Sequence, residues 1–210
     1  MSENPLDPKE RWAQNPKRPS PTEKSEGRLP PGQHEVKDFP VLDLGIRPDV
    51  ALDKWTLSVG GEVEEPMTWD WSSFGELPRK EIVCDFHCVT TWSQFGMVWE
   101  GVPFAEVVSR VKPRDEARFV LLTAYDGYTT NVPYELLKSE DVLVATHWDH
   151  KPLSLEHGGP VRFLVPRLYA WKSAKFLKEI IFSETDAPGY WEKRGYSLTA
   201  DPWTNDRFGS

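Results

Sequence analysis

Both cysteines of the 210-residue chain fall in one run, CDFHCVTTWS, from Cys84 to Ser93, with His87 between them. Thiolates are soft ligands for zinc and other transition metals, and they are nucleophiles when a neighbour lowers their pKa. The preceding residues, KEIVCDFHCV, alternate as a strand. That places Ile82, Cys84, Phe86 and Cys88 on one face and Val83, Asp85 and His87 on the other. Positions four apart on a strand lie roughly 13 Å apart, so the two thiols are not predicted to form a disulfide. Cys84 sits inside the apolar alternation and reads as packing. Cys88 comes at the strand's end, before Thr90, Thr91 and Ser93, where sites are commonly built. A zinc site stays open, since Cys84, His87, Cys88, His147, His150 and His157 are of the right type, although no CxxC or HxxxH pair closes a tetrahedron. A cysteine–histidine nucleophile also stays open, although neither cysteine is placed at a helix N-terminus.

A second constellation is HGGPVRFLVPRLYAWKSAKF. Gly158 and Gly159 let backbone approach a ligand closely. Arg162, Arg167, Lys172 and Lys175 gather in a chain whose net charge is −8. Arginine can grip a phosphate through parallel hydrogen bonds, and lysine adds a point charge. The bland alternative is a basic surface strand.

These residues need a scaffold. Alternation at Trp55, Leu57 and Val59 predicts a strand, with Gly60-Gly61 as a hairpin turn into GEVEEPMTW. WSSFGELP predicts one or two helical turns. VPFAEVVSRV has helical spacing with Pro103 in its first turn, and PYELLKS predicts a short helix from Pro133. ARFVLLTAYDG, YTTNV, DVLVATHWDHKPL and two segments around Pro166 read as strands. Residues 1–38 are polar and proline-rich and read as an arm, 39–185 as the body, and 186–210 as an aromatic tail packed on it. The acidic balance, with pI near 5.2, argues against nucleic acid or an anionic membrane surface as the main partner. No apolar run reaches the roughly eighteen residues of a membrane span. The opening residues show no secretory signal and two cysteines suit a reducing compartment, so a cytoplasmic protein is expected.

CVTTWS followed by GMVWEGVPFAEVV resembles the molybdenum-binding stretch of the sulfite oxidase superfamily, nearest its methionine-sulfoxide-reductase-like catalytic subunit branch. HGGPVR, then VP, then Tyr-x-x-Lys-Ser-x-Lys resembles the same family's pterin-phosphate stretch. The similarity runs from about Phe39 to about Phe182. It implies a mixed α+β fold with a β-rich core and short surrounding helices. It also implies molybdenum-molybdopterin with one pyranopterin dithiolene, and no haem in this chain. Cys88 resembles the metal ligand. Thr123 matches a cofactor-contacting threonine, and His157 falls where the reductases have asparagine and sulfite oxidases histidine. Arg162 matches the phosphate arginine, Ser173, Ala174 and Lys175 match the segment completing that site, and His34 and Phe39 are expected among the N-terminal contacts. The implied activity is oxygen-atom transfer on a small S- or N-oxide or oxyanion, with a small-molecule substrate and a separate electron partner. Sulfite oxidases carry arginines shortly after the cysteine, whereas this chain has Val89-Thr90-Thr91-Trp92 with no cation, and Ala170 stands where many relatives have glycine. Trp92 is expected either to line the access funnel or to pack in the core. Two other classes remain: a zinc- or thiol-dependent enzyme, and a non-catalytic domain that grips a ligand with its ten tryptophans.

Overall fold

The computed structural model describes residues 27–209. Most of the proline-rich arm, 1–26, lies outside the described residues. Two sheets with few helices make an α+β body with a β-rich core. The first sheet is built on one long strand, β5 (Trp92–Pro103). Along one edge β5 pairs antiparallel with β4 (Lys80–His87). Along the other it takes β1 (His34–Glu35) in parallel and β8 (Leu143–Trp148) antiparallel. β9 (Lys151–Pro152) and β10 (Arg162–Leu164) add to β8. The second sheet runs β3-β2-β11-β6-β7. Its central strand β11 (Leu177–Ser183) is parallel to β2 (Thr56–Gly61) and antiparallel to β6 (Phe119–Ala124). β3 (Met67–Asp70) and β7 (Thr129–Pro133) are the edges.

Local chemistry explains the short helices. Asp70 caps α1 (Trp71–Gly75) with a capping box, its carboxylate accepting from the Ser73 amide at 2.8 Å. In α2 (Phe104–Val111) the helical spacing buries Phe104, Val107 and Val111, and Pro103 precedes the first turn. Strand pairing claims Val102 and Pro103, so the helix starts later than its sequence spacing suggests. The segment after Pro133 tightens into a single 3₁₀ turn, Tyr134–Leu137.

Gly60-Gly61 is not the hairpin turn that the sequence suggests. Both residues belong to β2, and Gly61 (φ +83) lies so close to β11 that a Cβ there would meet the Phe182 carbonyl oxygen at 2.0 Å.

The first sheet packs against a core on each face around β5, β8 and β10. Val102, Val144 and Phe163 face the larger core, shared with the second sheet and α2. Phe86, Cys88, Trp92, Trp99, Leu143, Ala145 and Leu164 form a second cluster, covered by Val36, Phe39 and Leu42 of the N-terminal segment. The alternation in β4 holds there. Ile82, Cys84, Phe86 and Cys88 join the second cluster, while Val83 is exposed. His87, on the opposite face, is buried, with the Trp203 ring of the tail 6.0 Å away.

Candidate functional site

Cys88 stands where β4 turns into β5. Its amide donates to the Trp92 carbonyl at 2.9 Å, which closes a hairpin over Val89, Thr90 and Thr91. Thr91 holds the left-handed position of this turn with φ +78, a conformation that a β-branched residue resists. Outside donors hold the turn in place. Gln33 Nε2 donates to the Cys88 carbonyl at 3.1 Å, and the His34 amide to the Thr91 carbonyl at 2.9 Å. The Thr90 hydroxyl lies 3.1 Å from Cys88 Sγ and donates to the sulfur once the thiol is ionised. Neither thiol is in a disulfide. Burial pushes the Cys84 thiol up to about 12, as suits a packing residue.

The basic stretch sorts into unlike pieces. Arg167 pairs with Asp141 at the surface. Lys172 is fully buried, and its ammonium donates to Glu192 and to the Asn131 carbonyl, both at 2.7 Å. Neither is free to hold an added anion. Arg162 differs. Its guanidinium is buried and donates to the carbonyls of His157 (3.0 Å) and Ser173 (3.1 Å), while Nε has no hydrogen-bond partner. No carboxylate among the described residues forms an ion pair with it, and aromatic faces surround it, with Trp99 at 5.3 Å and Phe86 at 5.4 Å. Burial pushes its pKa down to about 9, and the Cys88 sulfur, when ionised, pulls it back up. A buried cation with an orphaned donor and no counter-ion marks a place made for an anion.

One cavity joins the two features: Cys88, Val89, Thr90 and Trp92 line it together with Arg162, Ser173, Lys175 and Phe39. His157 flanks it, stacked on Phe39 at 4.1 Å and 3°, with its buried Nδ1 unpartnered. Burial, then Lys175, Arg162 and Arg47, push the His157 pKa down to about 4, so the ring is neutral at pH 7. Gly158 and Gly159 permit the close approach. A Cβ on Gly158 (φ +95) would lie 2.6 Å from Lys175 Cβ, and one on Gly159 would lie 2.2 Å from the Leu153 carbonyl oxygen.

Besides His157, three expected residues lie off the cavity wall. Thr123 sits in β6 opposite Thr129, and it is Asp126 and Tyr128, just beyond, that line the cavity. Ala174 is core, its carbonyl accepting from the Phe163 amide. His34 reaches the site only through its backbone, and its neighbour Gln33 supplies the side chain. The tail contributes Trp191 and Tyr196, which with Trp171 give an aromatic wall. Among the described residues no group of three or more His, Cys, Asp or Glu is arranged to hold a metal ion, so the donor set for protein-bound zinc is missing.

Residues 44–191 match the family described as the oxidoreductase molybdopterin binding domain. The chain belongs to that family. It is an oxidoreductase of the sulfite oxidase type. It is 42% identical over 183 residues to the uncharacterized oxidoreductase YuiH of Bacillus subtilis, covering 87% of this chain and 92% of that protein. It is 30% identical over 155 residues to the protein-methionine-sulfoxide reductase catalytic subunit MsrP of Campylobacter jejuni, covering 66% of this chain and 52% of that one. The chain thus spans about half the length of that reductase. In fold it is similar to the sulfane dehydrogenase SoxCD of Paracoccus pantotrophus, with TM-score 0.61 and 17% identity over 71% of this chain and 42% of that one. The residues present fit a molybdopterin: a buried arginine with an unpartnered Nε, Arg162, suits its phosphate, and the buried thiol of Cys88 suits its metal. No helix among the described residues is long and apolar enough to cross a membrane.

Proposed function

We propose that this chain holds molybdenum with a single pyranopterin dithiolene and transfers oxygen atoms to or from a small S- or N-oxide, with a separate electron partner. The observation that carries the reading is the shared cavity, with a buried thiol at one place and a buried arginine whose Nε has no partner among the described residues at another. When bound, such a cofactor supplies two-electron chemistry coupled to movement of an oxygen atom.

The protein's own groups do the rest. Cys88 ligates the metal, and the hydroxyl of Thr90 donates to its sulfur. Arg162, Ser173 and Lys175 hold the phosphate. Phe39, stacked on neutral His157, gives a flat apolar surface for the pterin. Trp171, Trp191 and Tyr196 exclude water from the approach. With Arg162 and Lys175 committed to the phosphate, the charged residues left on the wall are Asp43, which pairs with Arg47, and Asp126. Carboxylates disfavour an oxyanion such as sulfite and tolerate a neutral, dipolar oxide.

The test is metal and pterin analysis of protein made in a molybdopterin-competent host. The expected result is about one molybdenum per chain, lost in Cys88→Ala while the fold persists. Stoichiometric zinc without molybdenum, or molybdenum retained in Cys88→Ala, would sink the reading.

A further inference from the structure

We infer that Arg207, on the C-terminal tail, is a positioning residue that fixes the Cys88 turn through the Val89 carbonyl. The inference rests on the reading of Cys88 as the metal ligand. Three of the turn's carbonyls have a donor from elsewhere in the chain. Gln33 takes that of Cys88, the His34 amide takes that of Thr91, and the Arg207 guanidinium donates to that of Val89. Arg207 is itself held. Its Nε donates to Asn205 Oδ1 at 2.7 Å, its guanidinium carbon lies 5.4 Å from the centre of the Tyr169 ring, and its carbonyl accepts from the Ser197 amide at 3.0 Å. The Tyr169 hydroxyl donates to the same Asn205 oxygen at 3.4 Å.

The turn needs such support because Thr91 is a β-branched residue at φ +78. Without outside donors the turn has an easier alternative, and Cys88 Sγ would move with it. Arg207 does not line the cavity, and it falls beyond residues 44–191 of the family match. It therefore acts through Val89 and not on a ligand.

The test compares Arg207→Met with Arg207→Lys, which keeps a donor. In full-length cofactor-free protein, alkylation of Cys88 should be about fivefold faster or more in Arg207→Met, with Cys84 as the control at an unchanged rate. In loaded protein the molybdenum content should hold. The electron paramagnetic resonance signal of the one-electron state should broaden or split, and kcat should fall about tenfold with KM changed by less than about threefold. Arg207→Lys should recover most of each effect. An unchanged Cys88 alkylation rate overturns the inference, as does an equal rise at Cys84, which means general loosening. A raised KM with kcat intact also overturns it, because Arg207 would then be a substrate group. Should Arg207→Met fail to fold, Asn205→Gly, which suits φ +56 and removes the amide that braces Arg207, must show the Cys88-selective rise in smaller measure. The alkylation result does not depend on molybdenum. It therefore fails or stands separately from the metal assignment, which Cys88→Ala tests.

Discussion

Replacing Arg162 by methionine should have opposite consequences with and without cofactor. Burial pushes the Arg162 pKa from 12.5 to about 9. At about 1.4 kcal/mol per pKa unit, keeping that charge in the cofactor-free chain costs about 5 kcal/mol. Its hydrogen bonds to the His157 and Ser173 carbonyls offset roughly 1.5–3 kcal/mol each. The two effects nearly cancel, and methionine fills similar space. Arg162→Met should therefore move the unfolding free energy of cofactor-free protein by less than about 2 kcal/mol, a gain being as acceptable as a loss. With a phosphate in place the sum changes. Losing one partner of a buried, hydrogen-bonded charge pair costs about 2–5 kcal/mol, so cofactor retention should weaken by a factor of about 30 to several thousand. Urea unfolding of cofactor-free protein gives the first quantity, and molybdenum and pterin content after extended dialysis gives the second. A cofactor-free variant destabilised by more than about 4 kcal/mol, with occupancy intact, would refute the reasoning. Arg162 would then be a structural residue whose charge is already satisfied.

Three further outcomes are expected. Lys172→Met leaves the Glu192 carboxylate buried against only the Thr130 and Trp171 donors, and should cost about 3–5 kcal/mol in urea unfolding, most of it recovered when Glu192 is also made apolar. Gly158→Ala strains φ +95 and presses on Lys175 Cβ, so a loss of about 1–3 kcal/mol is expected together with lower molybdenum retention; a variant of full stability and occupancy would deny the close approach. Burial pushes both His87 and His157 down to about 4, so the folded chain keeps them neutral while the unfolded chain takes up protons below about pH 6.5. Their contribution to stability is complete above that pH and is lost as pH falls toward 4, at up to about 1.4 kcal/mol per pH unit for each ring. Urea midpoints between about pH 4.5 and 7.5 should show a shallower slope in His157→Asn, and an unchanged slope would show that its burial has no such linkage.

Parts of the site were legible because they depend on local period. Alternation in KEIVCDFHCV puts Cys84 and Cys88 on one face, as found, with Cys88 just past the strand's last residue. The glycine pair before Arg162 suggests close approach to a ligand, whereas what a Cβ would meet there is the chain itself, Lys175 at Gly158 and the Leu153 carbonyl oxygen at Gly159. What the sequence hides is set by partners far along the chain. Lys172 looks as available as Arg162 until Glu192 is folded against it. Gly60-Gly61 looks like a turn because parallel pairing with β11 leaves no mark near it. Gln33 carries no local sign of its bond to the carbonyl of Cys88, 55 positions away. The aromatic tail was expected to pack on the body, but nothing in its composition told which of its rings, Trp191 and Tyr196, would face the cavity.

The strand order of the second sheet also sets a timetable. Its centre, β11, is the last of its strands to be synthesised, yet both β2 and β6 need it as a neighbour. While the chain emerges, β2 with β3 and β6 with β7 can form only as separate hairpins, each with one unsatisfied edge. Closure waits for Leu177–Ser183 and joins segments more than a hundred residues apart, the kind of long-range pairing that folds slowly. Ser173 and Lys175 lie immediately ahead of that strand, so this part of the cavity wall takes shape as the sheet closes. A newly made chain would thus keep this cavity open until Leu177–Ser183 has been made, and the pairing of β11 would be the step that closes it.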